Sequence, residues 1–279
     1  MADLSYCAAQ VRDFDNDRFL TALFAPANLR DPLMTLYAFN LELAKIRETV
    51  SEPLIGRMRL QFWRDAVGGI VEGAPPAHEI ATALSQTVRA HNISKADLHA
   101  LIDAREIDLD DVPPADIRAT IAYAEATSSS VIAMALRVLG VDPGTHVDAV
   151  RDAGIAYALV GLVRAIPYQA STGRVTLPLD LCQAAGLDHT APHQWPQNPD
   201  VSAITKPLLA AASDYLSQAR VSARTVPRNG LAAFLPLSLA ALYLQRLNAV
   251  DGDPKRFHER PPAAARHITL LWRSMRGTP

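Results

Sequence analysis

Apolar residues recur along this chain at intervals of three and four, the period of an α-helix with one face buried. No segment sustains the period-two alternation of a half-buried strand. The pattern predicts helices over Tyr6–Leu20, Asp31–Ser51, Pro53–Glu72, Glu79–His91, Lys95–Asp108, Ala115–Leu139, Thr145–Ile166, Thr205–Arg224, Leu231–Val250 and Pro262–Met275. The fold class expected is all-α. Asp31-Pro32 suits a helix start, because Asp caps and Pro tolerates the first helical position. Ser94, with Asp97 three residues on, reads as a second cap. Connectors fall at Ala74-Pro75-Pro76, Val112-Pro113-Pro114, Asp142-Pro143-Gly144, Leu187–Val201 and Asp251-Gly252-Asp253-Pro254. None is long or low in complexity enough to separate domains, so residues 1–279 are expected to form a single helical bundle around a central space.

Composition narrows the function. A net charge of −2 and a pI near 6.4 give no general attraction to nucleic acid. Cys7 and Cys182 form neither a C-x-x-C pair nor a disulfide framework, which suits a reducing cytoplasm. The first residues lack the apolar core of a secretory signal. The longest apolar run, Leu231–Leu244, is shorter than the roughly 20 residues that cross a bilayer, so a buried helix or pocket wall is expected there.

The candidate chemistry lies between Gly154 and Leu179, GIAYALVGLVRAIPYQASTGRVTLPL, which contains no Asp or Glu. Its frame, carried by Leu162, Arg164, Gly173, Arg174, Leu177 and Pro178, resembles the second signature of the squalene/phytoene synthase family. Active members read roughly Q-L-T-N-I-L-R-D-V-x-E-D-A-x-x-G-R-x-Y-L-P. Here Ala158, Gly161, Ala165, Tyr168 and Gln169 stand at the Gln, Asn, first Asp, Glu and last Asp. Upstream, Arg18-Phe19, Leu23-Phe24-Ala25-Pro26 and Leu36-Tyr37-Ala38-Phe39 are similar to the family's opening. The first aspartate-rich motif should follow, but Ala44 and Lys45 stand at its paired aspartates and Glu48 at its third acid. Gln61–Ala66, Leu101–Leu109, Ala233–Pro236 and Tyr243–Leu247 extend the resemblance over nearly the whole chain. It implies the isoprenoid synthase fold, a helical bundle with a deep central cavity.

The replacements also resemble one branch of that family, the group of mitochondrial complex I assembly factor 6 and its bacterial relatives. Tyr37–Glu48, Arg59–Asp65 and Leu162–Tyr168 carry this likeness, with Pro167 expected to end the helix where an enzyme would go on presenting acids. The resemblance implies a diverged protein without prenyl-transfer activity or a required cofactor, acting as an assembly or lipid- and isoprenoid-binding factor for respiratory NADH dehydrogenase. Its implied partners are NADH dehydrogenase subunits or assembly intermediates and a lipid or isoprenoid ligand, with peripheral contact at the inner membrane. The alternative is an active prenyltransferase condensing farnesyl or geranylgeranyl diphosphate with Mg²⁺, which takes carboxylate and phosphate oxygens.

Glu42, Lys45, Arg47, Glu48, Arg164, Tyr168, Gln169 and Arg174 are the candidate binding residues. Arg164 and Arg174 suit a phosphate, since guanidinium matches it bidentately, or they pair structurally with Glu42 and Glu48. Lys45 and Arg47 bring positive charge to the former metal face, for an anion or for a salt bridge. Ile155–Val163 stays apolar and small, as a cavity wall or close helix packing requires. Glu106, Asp108, Asp110, Asp111 and Asp116 read as a solvated acidic face. Asp13–Asp17 mimics an EF-hand start but fails at Arg18 and Phe24, where Gly and Glu are needed.

Overall fold

A computed structural model describes residues 4–50, 52–110, 112–173, 176–191, 201–257 and 263–279. Among them every regular element is helical: α1 (Tyr6–Phe14), α2 (Asn16–Ala22), α3 (Ala27–Thr49), α4 (Pro53–Glu72), α5 (Glu79–His91), α6 (Lys95–Ala104), α7 (Ile117–Ala124), α8 (Ser130–Val138), α9 (Val147–Ser171), α10 (Leu179–Ala184), α11 (Val201–Ser222), α12 (Leu231–Ala249) and α13 (Ala263–Arg276). The middle of the bundle is α3, α8, α9 and α12. Helices α1, α4 and α5 pack on α3, while α11 covers α9 and α13 covers α12. One continuous apolar core joins them.

Local chemistry explains where the helices begin and end. The stretch expected as Tyr6–Leu20 breaks at Asp15, whose φ of −136° and ψ of 64° leave the helical region. Its carboxylate then accepts from the Arg18 N–H at 3.2 Å and caps α2. Helix α3 begins at Ala27, four residues before the expected Asp31, and takes Pro32 into an early turn. As the sixth residue of α3, Pro32 lacks the N–H that would reach the Asn28 carbonyl, and the packing of α3 carries the helix past it. Asp31 instead accepts from the Ser5 hydroxyl. The Ser94–Asp97 capping box forms as expected.

Two departures shape the interior. Between Glu125 and Ser129 the predicted long helix widens into a π-helical turn joining α7 to α8. Helix α9 does not end at Pro167 but runs on to Ser171. Proline removes one donor, to the Val163 carbonyl, and the surrounding packing carries the helix past it. Leu231–Leu244 lies in α12, an element apolar enough to cross a membrane but largely buried within the bundle.

Candidate functional site

The two motif faces meet at the ends of α3 and α9. Tyr168, exposed on α9, donates its hydroxyl to Glu48 of α3 at 3.3 Å, joining the positions where the family signatures place acids. One turn back on α3, the Lys45 Nζ lies 3.0 Å from the centroid of the Phe14 ring. Partial burial pulls its pKa below the usual lysine value, while Glu42 and Glu48 oppose the shift. Lys45 is thus held by an aromatic face. Arg47 donates to the Val50 carbonyl at 3.2 Å, closing the end of its own helix. Gln169 accepts from the Thr176 hydroxyl. Arg174 lies outside the described residues.

Arg164 pairs with neither Glu42 nor Glu48. Its Nη1 is 3.5 Å from Asp17, and its guanidinium carbon stands 3.5 Å from the Tyr243 ring centroid. The reason is direction: Arg164 points into the bundle toward α2 and α12, whereas Glu48 is exposed at the rim. Asp17 is the hub of this interior network. Tyr243 donates to both of its oxygens at 2.8 Å, and Arg266 of α13 donates at 3.0 Å. Beside it Arg18 bonds Asp15 at 2.7 Å and faces the Tyr157 and Tyr37 rings. Asp17, Arg18, Tyr157, Tyr243 and Arg266 were not among the sequence candidates. Asp17 and Arg266 are 249 positions apart, and nothing in a single sequence pairs them.

Other acids expected on a solvated face are also partnered. Asp108 accepts from Tyr123 at 2.8 Å and from Arg105 at 3.3 Å, Glu106 and Asp110 bond Arg64 and Arg57, and Asp116 caps α7. Asp111 lies outside the described residues. Between Arg18, Tyr37, Tyr157 and Phe234 an enclosed space of about 10 Å³ remains. That is room for about one water. Ile155, Ala156, Leu159, Val160 and Val163 are buried where α9 packs on α11 and α12, while Ala158, Gly161 and Leu162 are only half-buried and a Cβ at Gly161 would meet open space. A larger, half-open cleft of about 440 Å³ lies at the motif ends, lined by Arg47, Asp108, Tyr123, Gly173, Thr176 and His189.

Residues 11–267 match the profile of the squalene/phytoene synthase family. The chain belongs to that family. The family's fold is equally plain in solved structures. A dehydrosqualene synthase in complex with ligand superposes with a TM-score of 0.79 at 18% identity, covering 97% of this chain and 94% of that one. Squalene synthase HpnC from Alicyclobacillus acidocaldarius gives 0.77 at 15% identity, covering 89% and 94%. In sequence, NADH dehydrogenase (ubiquinone) complex I, assembly factor 6 of Bos taurus is 36% identical over 267 residues, 95% of this chain and 78% of that protein. The Homo sapiens protein of that name is 34% identical over the same shares. Presqualene diphosphate synthase of Rhodopseudomonas palustris is 26% identical over 161 residues, 57% of each chain.

Within this family frame the side chains present do not fit Mg²⁺. Ala44 and Ala165 offer no oxygen beyond the backbone, Lys45 offers a cation against Phe14, and Gln169 is occupied by Thr176. Among the described residues no three His, Cys, Asp or Glu side chains converge as metal ligands. Magnesium needs several anionic or carbonyl oxygens in near-octahedral array.

Proposed function

We propose that this chain is a non-catalytic member of the squalene/phytoene synthase family that acts as an assembly factor for respiratory NADH dehydrogenase, binding complex I subunits or assembly intermediates. The observation that carries this reading is the 36% identity, over 95% of the chain, to a protein named complex I assembly factor 6. The site chemistry supports it. A prenyl diphosphate brings several negative charges to an apolar space, and without metal the departing diphosphate loses several kcal/mol of stabilisation.

Deleting the gene from its host and measuring assembled NADH dehydrogenase in the membranes tests the assembly role. The expected result is loss of the assembled complex, restored by the intact gene; an unchanged complex sinks the reading. Incubation of purified protein with farnesyl diphosphate and Mg²⁺ tests the non-catalytic half. Product formation at background is expected, and robust turnover to a squalene-type product overturns it.

A further inference from the structure

Helix α13 carries an apolar stripe on the face turned away from the bundle. The opposite face is turned inward: Leu270 is fully buried, and Arg266 reaches Asn16 and Asp17. The stripe holds Ile268, Leu271, Trp272 and Met275, at 65, 53, 50 and 66% exposure. Their spacing of i, i+3, i+4 and i+7 makes one continuous stripe. A helix packed on a globular core normally presents polar residues there.

The surroundings of the stripe are basic. No Asp or Glu occurs from Ala263 to Pro279, while Arg266, His267, Arg273 and Arg276 do, in a chain whose net charge is −2. The Arg276 guanidinium stacks 4.2 Å from the Trp272 ring. Beside the helix runs an open groove of about 600 Å³ between α11, α12 and α13, lined by Arg220, Arg273, Leu216, Leu244, Ile268 and Trp272. Neither Arg220 nor Arg273 has a carboxylate in ion-pair range among the described residues. Partial burial and the neighbouring Arg273 push the pKa of Arg220 down. The Arg220 Nε and the Ser238 hydroxyl are buried in this region without a hydrogen-bond partner. On the other flank of α13, Arg228 and Ser274 line a second groove of about 500 Å³.

We propose that this face docks on an anionic phospholipid bilayer, with Ile268, Leu271, Trp272 and Met275 entering the acyl boundary and Arg220, Arg273 and Arg276 taking headgroup phosphates. An apolar stripe edged by arginines, with Trp at its margin, is the composition of a helix lying in the interface plane. A second copy of the chain fits poorly. A twofold contact would set the two arginine sets against each other, with no acid on the helix to answer them. Free phosphate would satisfy the arginines but leave the stripe unexplained. This surface goes beyond the assembly reading and does not depend on it.

The test is flotation of the purified full-length protein with phosphatidylcholine vesicles, with and without phosphatidylglycerol. The protein is expected to float with the anionic vesicles and to stay behind with the neutral ones. Arg220→Gln and Arg273→Gln should each weaken binding roughly fivefold. Leu271→Glu with Met275→Glu should weaken it about tenfold or more, with the thermal midpoint unchanged because both side chains face solvent. Leu54→Glu, at an equally exposed apolar position on α4, should bind like wild type. Failure of the wild type to float overturns the proposal, and a soluble acidic protein captured by the same face would then be its occupant. Undiminished flotation of the Leu271/Met275 variant overturns it too, as does loss of flotation in the Leu54 variant alone.

Discussion

Gly154 of α9 lies against the backbone of Ser129 so closely that a Cβ at Gly154 would stand 2.5 Å from both the Ser129 Cα and N. Ser129 belongs to the π-helical turn, and its hydroxyl donates to the Arg151 carbonyl of α9 at 2.9 Å. The widened turn and the missing side chain together let two helices touch backbone to backbone. Gly154→Ala in a helix interior would ordinarily stabilise by about 1 kcal/mol through propensity alone. Here the sign reverses, because backbone atoms cannot step aside as a flexible side chain can. A net loss of about 1–3 kcal/mol is expected in urea unfolding; a stabilised variant would show that the contact is slack.

Asp17 answers two arginines and a tyrosine from different helices. Asp17→Asn leaves Arg266 and Arg164 without their carboxylate, and breaking a buried pair from one side costs about 3–5 kcal/mol. Tyr243→Phe removes only the hydroxyl donor to that carboxylate, at about 1.5–3 kcal/mol. The order of the two losses in chemical denaturation is the check. Equal small losses would mean that the network contributes little to stability.

How far such features can be read from sequence depends on their range. Pro53–Glu72 and Glu79–His91 were predicted with their observed bounds, because punctuation is local: Pro53 opens α4, while Gly73 and Asn92 close α4 and α5 at positive φ. The helical bundle was legible in the apolar period, while the pairing of the two motif faces was implied only by the family resemblance. What escaped was set by tertiary contact. Asp15 breaks a helix whose apolar period is uninterrupted, the π-helical turn at Glu125–Ser129 answers Gly154 on another element, and the partners of Arg164 come from α2 and α12. Pro167 misled for the same reason: packing on α11 and α12 outweighs a rule that holds for an isolated helix.

Burial raises the tyrosine pKa values of the interior. Tyr37 is pushed up to about 12 by burial, with Arg18 opposing, and Tyr243 to about 12 by burial and Asp17. Tyr157 is raised well above its ordinary value by burial. An unfolded tyrosine loses its proton near pH 10. Above that the unfolded chain binds fewer protons than the folded one, so stability falls as pH rises. The stabilisation is fully present below about pH 10 and is lost toward about pH 12, by about 1.4 kcal/mol per pH unit for each tyrosine. Unfolding free energies across that window, with tyrosinate absorbance, check the slope. A flat profile would mean that these hydroxyls titrate as in water.

Restoring the lost acids separates charge from space. Ala44→Asp, Lys45→Asp, Ala165→Asp and Gln169→Asp together return carboxylates to both motif faces, which already meet at Glu48 and Tyr168. The combined variant is expected to gain Mg²⁺ binding, seen as an unfolding free energy that rises with the ion, by about 2.7 kcal/mol at one hundred times Kd. The wild type should show no such rise. Prenyl transfer should nevertheless stay at background in the variant. A prenyl chain confined to the half-open cleft at the helix ends would leave its reactive carbon exposed to water, which an active site must exclude. Turnover by the combined variant would place the barrier in the missing acids alone; magnesium binding without turnover places it in the exposure of the cleft to water.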